Sequence, residues 1–385
     1  MSRAPESASL PEIECIEMLE AIEDAYAKRF GAAPFNISHW DPSDEFEREM
    51  LGHLDVPGLG SLASYRFSYQ LTESTPVVVK LGGVARLHSG LFTPSTTTSI
   101  LCVLNWLKRR GKKQIIAMCP AYFSLSHACH RFGINLKRTY LKRSDGRFSL
   151  PTSGSRIWQN PSVLWITNPV YGAGVYFTPE DIIFVGSLLE SGWIVVADEC
   201  LALPGKEMIR MLEQHPNFVT IYSPHKCICV NGIKFSIVIF NLKHLAFMER
   251  WADVWYGGLG CSSSLAIAHF LSPNFDSYLA HFLRKIAVVR KSVSQLCVGP
   301  HLETDTEAKG HFVSCYYPAL SSRLGNSRTF LEQVINATGG SLIPGNRSRF
   351  GREVGFSFRV NLARGGPRLQ PALARIIAYM NSCAD

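Results

Sequence analysis

The sequence contains no apolar run long enough to cross a membrane and no regular pattern of cysteines. A membrane-spanning helix needs about 20 consecutive apolar residues, and Met1 to Glu12 carries charges where a secretory signal would have an apolar core. The 11 cysteines are spaced irregularly over 385 residues, which argues against a disulfide framework. We therefore expect a cytoplasmic protein with reduced thiols and no membrane segment.

Internal repeats, low-complexity segments and a concentrated basic patch are also absent. The net charge is +8, but the Lys and Arg residues are scattered, and the densest run at 108–113 is short. We interpret that run as a solvated helix end, so nucleic acid is not an expected partner. Neither the Cys227 and Cys229 pair nor the His/Cys group at 127–130 has the spacing of a structural zinc site, and no metal is expected.

The chain does contain an alternation of short apolar runs with helical patterns. Residues 11–30 repeat apolar positions at helical spacing up to Gly31, and Thr178 followed by Pro179 marks the start of a helix between two strands. This alternation predicts an α/β fold with a mostly parallel sheet covered by helices on both faces. The predicted strands are QIIAMCP at 114–120, SVLWITNP at 162–169, WIVVADE at 193–199, NFVTIYSP at 217–224 and FSIVIFN at 235–241.

The length of the chain exceeds that of a usual single domain. We predict a large domain at 51–289 that contains the sheet. A smaller α+β domain is predicted at 290–385, because the strand-like segments HFVSCYYP and GFSFRVNLA follow a more helical stretch. The N-terminal arm, 1–50, is expected to join this small domain.

Polar residues end three of the predicted strands, where ligands bind in open sheets of this kind. A buried carboxylate at Asp198 needs a cation, and a protonated pyridine nitrogen would supply one. A lysine at the next strand end, Lys226, is desolvated towards the neutral amine that forms imines. Asn168 could donate to the phenolic oxygen of the same ring. Alone, each has a structural explanation as a helix cap, a solvated loop residue or an Asn-Pro turn, but the three together favour a site.

The order Asn-Pro, then Asp, then Ser-x-x-Lys in SPHK resembles the fold-type I, class I/II aminotransferases that depend on pyridoxal 5′-phosphate (PLP). The resemblance extends from about residue 36 to 363. It implies that Lys226 holds PLP as a Schiff base, with Asp198 on the pyridine nitrogen, Asn168 on O3′ and Tyr122 stacked on the ring. The phosphate ligands implied are Ser95, Thr96, Thr97, Ser223 and Lys234.

The same resemblance implies that Arg359 in FSFRVNLA grips the carboxylate of an amino acid substrate. It also implies a homodimer with active sites between subunits. Tyr65 is then expected to reach the partner's cofactor phosphate, and the segment 256–272 to complete the neighbouring site.

Three positions depart from the family pattern. Leu201 replaces a tyrosine that bonds O3′, and Lys234 replaces an arginine, so it can neutralise phosphate but cannot form a bidentate fork. Trp40, preceded by His39, stands where the family has a glycine beside the substrate. We expect the indole to reshape the pocket, and His39 is a candidate for an extra acid/base group.

Two reactions remain open on the sequence. Transamination is the leading interpretation, because the Arg359-type carboxylate clamp and the order of motifs match aminotransferases best. The alternative is a PLP-dependent elimination, replacement or cyclisation of specialised metabolism, which Leu201, Trp40 and Lys234 favour slightly. A regulatory module of this fold is disfavoured, because residues 1–35 are too short to hold a DNA-binding domain.

Overall fold

The computed structural model describes residues 11–54, 72–144, 146–151, 154–248, 256–305, 307–345 and 354–384. It confirms the predicted fold class, a mostly parallel sheet flanked by helices. None of the helices in these ranges is long and apolar enough to pass through a membrane. The N-terminal part forms α1 (Pro11–Phe30), β1 (Phe35–Asn36), α2 (Asp44–Leu51) and α3 (Ser74–Lys80).

The central part of the chain forms a seven-stranded sheet and its covering helices. The strand order is β2-β10-β9-β8-β7-β3-β4. Only β10 runs against its neighbours β2 and β9, and the pairs from β9 to β4 are parallel. The elements are β2 (His88–Thr93), α4 (Thr96–Arg109), β3 (Gln114–Cys119), α5 (Phe123–Phe132), β4 (Asn135–Tyr140), β5 (Lys142–Ser144), β6 (Arg147–Ser149), β7 (Val163–Thr167), α6 (Pro179–Glu190), β8 (Ile194–Glu199), α7 (Ile209–Leu212), β9 (Phe218–Tyr222), α8 (Pro224–Cys227) and β10 (Ser236–Asn241).

The two faces of this sheet are covered by different helices, and each buries its own apolar core. Along β8, Ile194 and Val196 pack in the core that contains α4 and α5, whereas Val195 and Ala197 pack in the core that contains α3 and α6. The alternation follows from the two-residue period of a strand. It also fixes which face each polar residue at a strand end must occupy.

The C-terminal part builds a smaller antiparallel sheet in the order β11-β12-β14. The N-terminal arm reaches it, because β1 pairs in parallel with β13 and α1 packs on α11. The boundary proposed between residues 289 and 290 falls inside the long helix α10. The elements are α9 (Cys261–Leu271), α10 (Pro273–Leu296), β11 (Glu303–Thr304), β12 (Phe312–Tyr317), α11 (Arg328–Thr338), β13 (Gly340–Ser341), β14 (Phe356–Asn361) and α12 (Leu369–Ala384).

Candidate active site

Lys226 lies in the single turn α8, directly after β9, at the carboxyl edge of the parallel sheet. Its Nζ is 5.2 Å from the ring centroid of Trp40 and 5.1 Å from that of Tyr122. Burial disfavours its ammonium form, but the neighbouring Cys200, Tyr122 and Asp198 outweigh this and raise the pKa of Lys226. The expected desolvation is therefore present and lowers this pKa, but the neighbouring groups, which the expectation left out, reverse the net direction.

Asp198 stands near the end of β8 and faces the α4 side of the sheet, as the alternation along the strand requires. Its Oδ1 accepts a hydrogen bond of 3.2 Å from the Cys200 amide. Its Oδ2 is buried and has no hydrogen-bond partner among the described residues. Burial raises the pKa of Asp198, opposed by hydrogen bonds from Cys200 and by the charge of Lys226. One carboxylate oxygen is thus available to a donor on a ligand.

Thr167 adds a second polar group on the same face. The register pairs Thr167 with Asp198 across β7 and β8. Its Oγ1 is also buried, and no described residue hydrogen-bonds to it. Buried polar atoms without partners are costly, so two of them side by side indicate that a polar ligand completes this edge.

Asn168 lies on the opposite face, and its predicted bond to O3′ of the cofactor is not supported. It follows Thr167 by one residue, so its side chain points to the other side of the sheet. There its Nδ2 donates to Glu199 Oε1 over 3.1 Å, and its Oδ1 accepts from the Phe177 amide over 3.2 Å. Sequence reasoning placed Asn168 at the strand end correctly but did not assign it a face.

Tyr171, three residues further on, reaches the site instead. It is buried, its ring centroid is 5.6 Å from that of Tyr122 and 6.1 Å from that of Trp40, and its hydroxyl hydrogen-bonds to Arg359. Burial raises the pKa of this phenol far above its usual range, so it stays protonated. A polar residue in the loop after a strand end was the signal that could have identified it.

Arg359 lies on β14 with its side chain fully buried. Its Nε donates to the Ser38 carbonyl over 3.1 Å. Its Cζ lies 3.8 Å from the ring centroid of Trp40 and 4.6 Å from that of Phe312. The structure therefore brings Arg359, Trp40, Tyr122 and Lys226 together in one cluster. His39 lies apart, half-exposed, where its Nδ1 accepts from the Asp41 amide and is 3.5 Å from Asp41 Oδ2.

The N-terminus of α4 points at the same edge. Ser95 is the N-cap and accepts from the Thr98 amide over 3.2 Å. Thr96 is buried and hydrogen-bonds to the Cys200 thiol, whereas Thr97 is exposed. The first amides of a helix lack intrahelical partners and favour an anion. The 14-residue α4 thus offers a phosphate site next to Cys200, the neighbour of Asp198.

Two other predicted phosphate ligands have backbone contacts in the structure. The Ser223 hydroxyl is buried and donates to the Phe235 carbonyl over 2.8 Å. The Lys234 carbonyl accepts from the Ser263 hydroxyl, and its side chain is half-buried. Tyr65 falls outside the described residues.

Two buried histidines, His225 and His311, flank Lys226, and the sequence favours a packing or hydrogen-bonding role for His225. His225 Nε2 and His269 Nδ1 are 3.0 Å apart, and burial lowers the pKa of His225 to about 3. His311 hydrogen-bonds to the backbone of Cys227, and burial lowers its pKa to about 3 as well. Both rings are therefore neutral near pH 7. They pack the turn that carries Lys226 against α9 and β12.

No protein-family model matches the chain, and no curated protein matches its sequence. Solved structures match it over nearly its whole length. The Pyrococcus horikoshii kynurenine aminotransferase has a TM-score of 0.74 at 13% identity, covering 100% of this chain and 98% of that one. YbdL from Escherichia coli, which has a methionine aminotransferase function, has a TM-score of 0.73 at 13% identity and covers 98% of each chain.

A double mutant of Thermus thermophilus aspartate aminotransferase has a TM-score of 0.72 at 14% identity, covering 98% of this chain and 97% of that one. This chain has the fold of the fold-type I aminotransferases. The likeness at these identities is one of fold, and the chemistry must be argued from the site that this aminotransferase fold carries here.

The residues at the edge of this aminotransferase fold suit PLP. The Asp198 Oδ2 atom would accept from a pyridinium nitrogen, which balances its buried charge. The Tyr122 ring, 5.1 Å from Lys226 Nζ, offers a face for the pyridine. The amides at the start of α4 suit the phosphate. Charge, aromatic surface and anion site thus converge on Lys226.

Proposed function

We propose that this protein is a PLP-dependent enzyme that acts at the α-carbon of an L-amino acid, with transamination as its reaction. The observation that carries the proposal is the buried Asp198 carboxylate, whose Oδ2 has no described hydrogen-bond partner, in the cluster that contains Lys226 and Tyr122. A carboxylate held this way keeps a ring nitrogen protonated. Bound PLP would supply an electron sink for the electrons of a broken bond at the amine-bearing carbon.

The residues of the chain have separate tasks in this proposal. Lys226 Nζ would hold PLP through the aldehyde carbon of the cofactor and, once the substrate amine has displaced it, would accept the proton from the substrate Cα. Arg359, oriented by the Ser38 carbonyl and the Tyr171 hydroxyl, binds the α-carboxylate. Tyr122 limits how the ring can tilt. A cytoplasmic homodimer that places Tyr65 and the 256–272 segment at the partner's site completes the proposal.

An elimination, replacement or cyclisation is the second candidate. Leu201 is buried and packs with Cys200, Phe312 and Trp40, so an apolar group stands where the family offers a tyrosine hydroxyl. The ring oxygen would then have fewer hydrogen-bond donors, and a bulky residue would stand beside the substrate. Both features would suit a reaction other than transamination after the same first proton transfer.

The test uses the purified protein with PLP added. Reduction with borohydride should fix the cofactor to Lys226, located by peptide mass spectrometry, in the wild type and in the exposed-lysine control Lys206→Ala, but not in Lys226→Ala. Adding amino acids without a keto acid should then convert the cofactor to its pyridoxamine form if the reaction is transamination. Release of product with the original absorption restored would favour elimination or cyclisation. An absence of cofactor on Lys226 would refute the proposal.

A further inference from the structure

The Trp40 indole occupies the centre of the site. Its ring centroid lies 3.8 Å from Arg359 Cζ and 5.2 Å from Lys226 Nζ. These two cations are therefore no farther apart than the sum of the two distances, about 9 Å. An amino acid that binds Arg359 through its carboxylate and brings its amine to the cofactor carbon that Lys226 would hold must place its α-carbon between the two residues. The indole lines that space.

Aromatic side chains hold the indole on several sides. Trp40 meets Phe312 at 5.4 Å and Tyr122 at 6.5 Å between ring centroids, both edge to face, and lies tilted against Tyr171 at 6.1 Å. It also packs on the small apolar cluster of Cys200, Leu201 and Phe312. Edge-to-face pairs at these separations are favourable. The indole is thus packed in place and does not extend freely into solvent.

The backbone that carries Trp40 is fixed to β14. The Asn361 amide donates to the Ile37 carbonyl over 2.9 Å, and Asn361 Nδ2 donates to the His39 carbonyl over 2.8 Å. The Ser38 hydroxyl donates to the Arg359 carbonyl over 2.5 Å. Beyond Trp40, the Ser43 amide donates to the Ala363 carbonyl over 2.9 Å. With the segment held on both sides of Trp40, the indole can leave the site only by rotating its own side chain. That rotation would break its stack on Arg359.

The stack leaves the use of Arg359 intact. A guanidinium can pack its face on an aromatic ring while its edge binds a carboxylate. Trp40 therefore takes volume beside the α-carbon without removing the charge that would recognise the substrate. The volume that the indole takes is therefore no longer open to the side chain of the substrate.

We propose that Trp40 determines substrate size by filling the side-chain space of the site, so that the substrate is an α-amino acid with a short side chain. This inference rests on the proposed function for the identity of the site. Under this inference, Trp40 selects among amino acids, because its side chain alone forms the wall that limits the side chain of the substrate.

The test is a binding series of unbranched L-amino acids: alanine, 2-aminobutyrate, norvaline and norleucine. The dissociation constants are measured by calorimetry on the PLP-loaded protein and on the protein without PLP. In the wild type, affinity should fall at least about 10-fold from alanine to norleucine, because a single misfitting methylene changes selection by roughly 10-fold or more. In Trp40→Gly, norleucine should gain at least about 10-fold, and Trp40→Phe should lie between the two.

Two outcomes would overturn the proposal. The first is that norleucine binds the wild type as tightly as alanine does. The second is that Trp40→Gly weakens the binding of all four ligands equally and leaves the order of affinities unchanged. Equal weakening would mean that the indole contacts the substrate as a platform. Trp158→Gly is the matched control, because its indole packs on Trp193 and Phe184 away from Lys226, and it should keep the wild-type order.

The proposed function and the inference are tested by separate measurements. Borohydride reduction reports whether PLP is bound to Lys226, whereas the size series on the protein without PLP reports the pocket alone. A size order reversed by Trp40→Gly without a Lys226 adduct would refute the proposed function and support the inference. An adduct on Lys226, together with a size order that Trp40→Gly leaves unchanged, would support the proposed function and refute the inference.

Discussion

Asp198 and Glu199 are neighbours in sequence that face opposite sides of the sheet. Glu199 is fully buried and accepts from Asn168 Nδ2, the Met208 amide and the Thr220 hydroxyl at 2.8–3.1 Å. Burial nevertheless raises its pKa to about 7. Asp198 faces a ligand site, whereas Glu199 organises the loop around Asn168. Two consecutive residues of β8 thus serve different purposes: one belongs to the proposed site, and the other holds the loop that supports it.

Glu199 should make the stability of the protein fall as the pH rises from about 4.5 to 7. Its pKa is 4.5 in the unfolded reference and about 7 in the folded chain, so the folded state binds more protons in this window. The loss should approach about 3 kcal/mol, at roughly 1.4 kcal/mol per pKa unit. Urea unfolding at pH 5 and pH 8 measures it.

The control for this prediction is the difference between variants. Glu199→Gln cannot ionise and should lack the pH-dependent loss, although its overall stability is lower because an amide cannot accept all three hydrogen bonds. Glu190→Gln, on an exposed helix end, should retain the wild-type pH profile. A Glu199→Gln profile that matches the wild type would contradict the raised pKa.

The candidate site shows what a sequence can specify at the scale of residues. Asp198 lies near the end of β8, and Lys226 and Tyr122 lie just beyond the ends of their strands. Positions of this kind can be recognised in the sequence. Tyr171 was missed because a loop after a strand has no fixed period, so its direction depends on tertiary packing. The face of Asn168 was left unassigned for a related reason, since a strand end one residue longer reverses the side chain.

At the scale of elements, helix α6 illustrates how closely local signals can define a boundary. Thr178 accepts from the Asp181 amide, and Asp181 accepts from the Thr178 amide, which forms a capping box. Pro179 occupies the first helical position. The sequence predicted this start, because the cap, the proline and the acidic residues need no information from elsewhere in the fold.

Removing that cap should have a modest and measurable cost. Thr178→Ala leaves the Asp181 amide without its side-chain partner and should lower the free energy of unfolding by about 1 kcal/mol. Ser187→Ala is the matched control within the same helix, because the exposed Ser187 hydroxyl donates to the Phe184 carbonyl one turn earlier and caps no helix end. Equal effects of the two changes in urea unfolding would count against the capping role.

The strands were also predicted closely, and the reason is burial. All five residues of β7 and of β9 are buried, as are all six of β8, so each strand is mostly apolar in sequence, and in β8 the apolar run ends at Ala197. The boundary of the small domain had no such signal. Helix α10 runs from Pro273 to Leu296 without interruption, and an uninterrupted helix cannot mark a change of domain in its sequence.

At the scale of the whole molecule, a buried ion pair joins the β5–β6 hairpin to the smaller sheet. Arg143 Nε lies 2.9 Å from Asp305 Oδ1, and their side chains are 7% and 0% exposed. Arg143 also pairs with Glu303. Arg143→Ala would leave the Asp305 carboxylate buried without its cation, and it should lower the free energy of unfolding by about 3 kcal/mol or more.

A neighbouring exposed pair provides the comparison. Arg147 and Glu307 are 3.8 Å apart with side chains that are 66% and 45% exposed. Arg147→Ala should therefore cost less than about 1 kcal/mol. The double change Arg143→Ala with Asp305→Ala should recover part of the loss of the single variant. Similar costs for Arg143→Ala and Arg147→Ala would show that the buried pair does not bind the two regions together.

The pairing of β1 with β13 has a consequence for the growing chain on the ribosome. Phe35 pairs with Gly340 and Asn36 with Ser341, so partners that touch are 305 positions apart. The strands of the large sheet have all been synthesised by Asn241. At about 5–20 residues per second, the N-terminal strand waits roughly 15–60 s for its partner. During that interval Phe35 and Asn36 have to wait without the strand that they pair with in the folded protein.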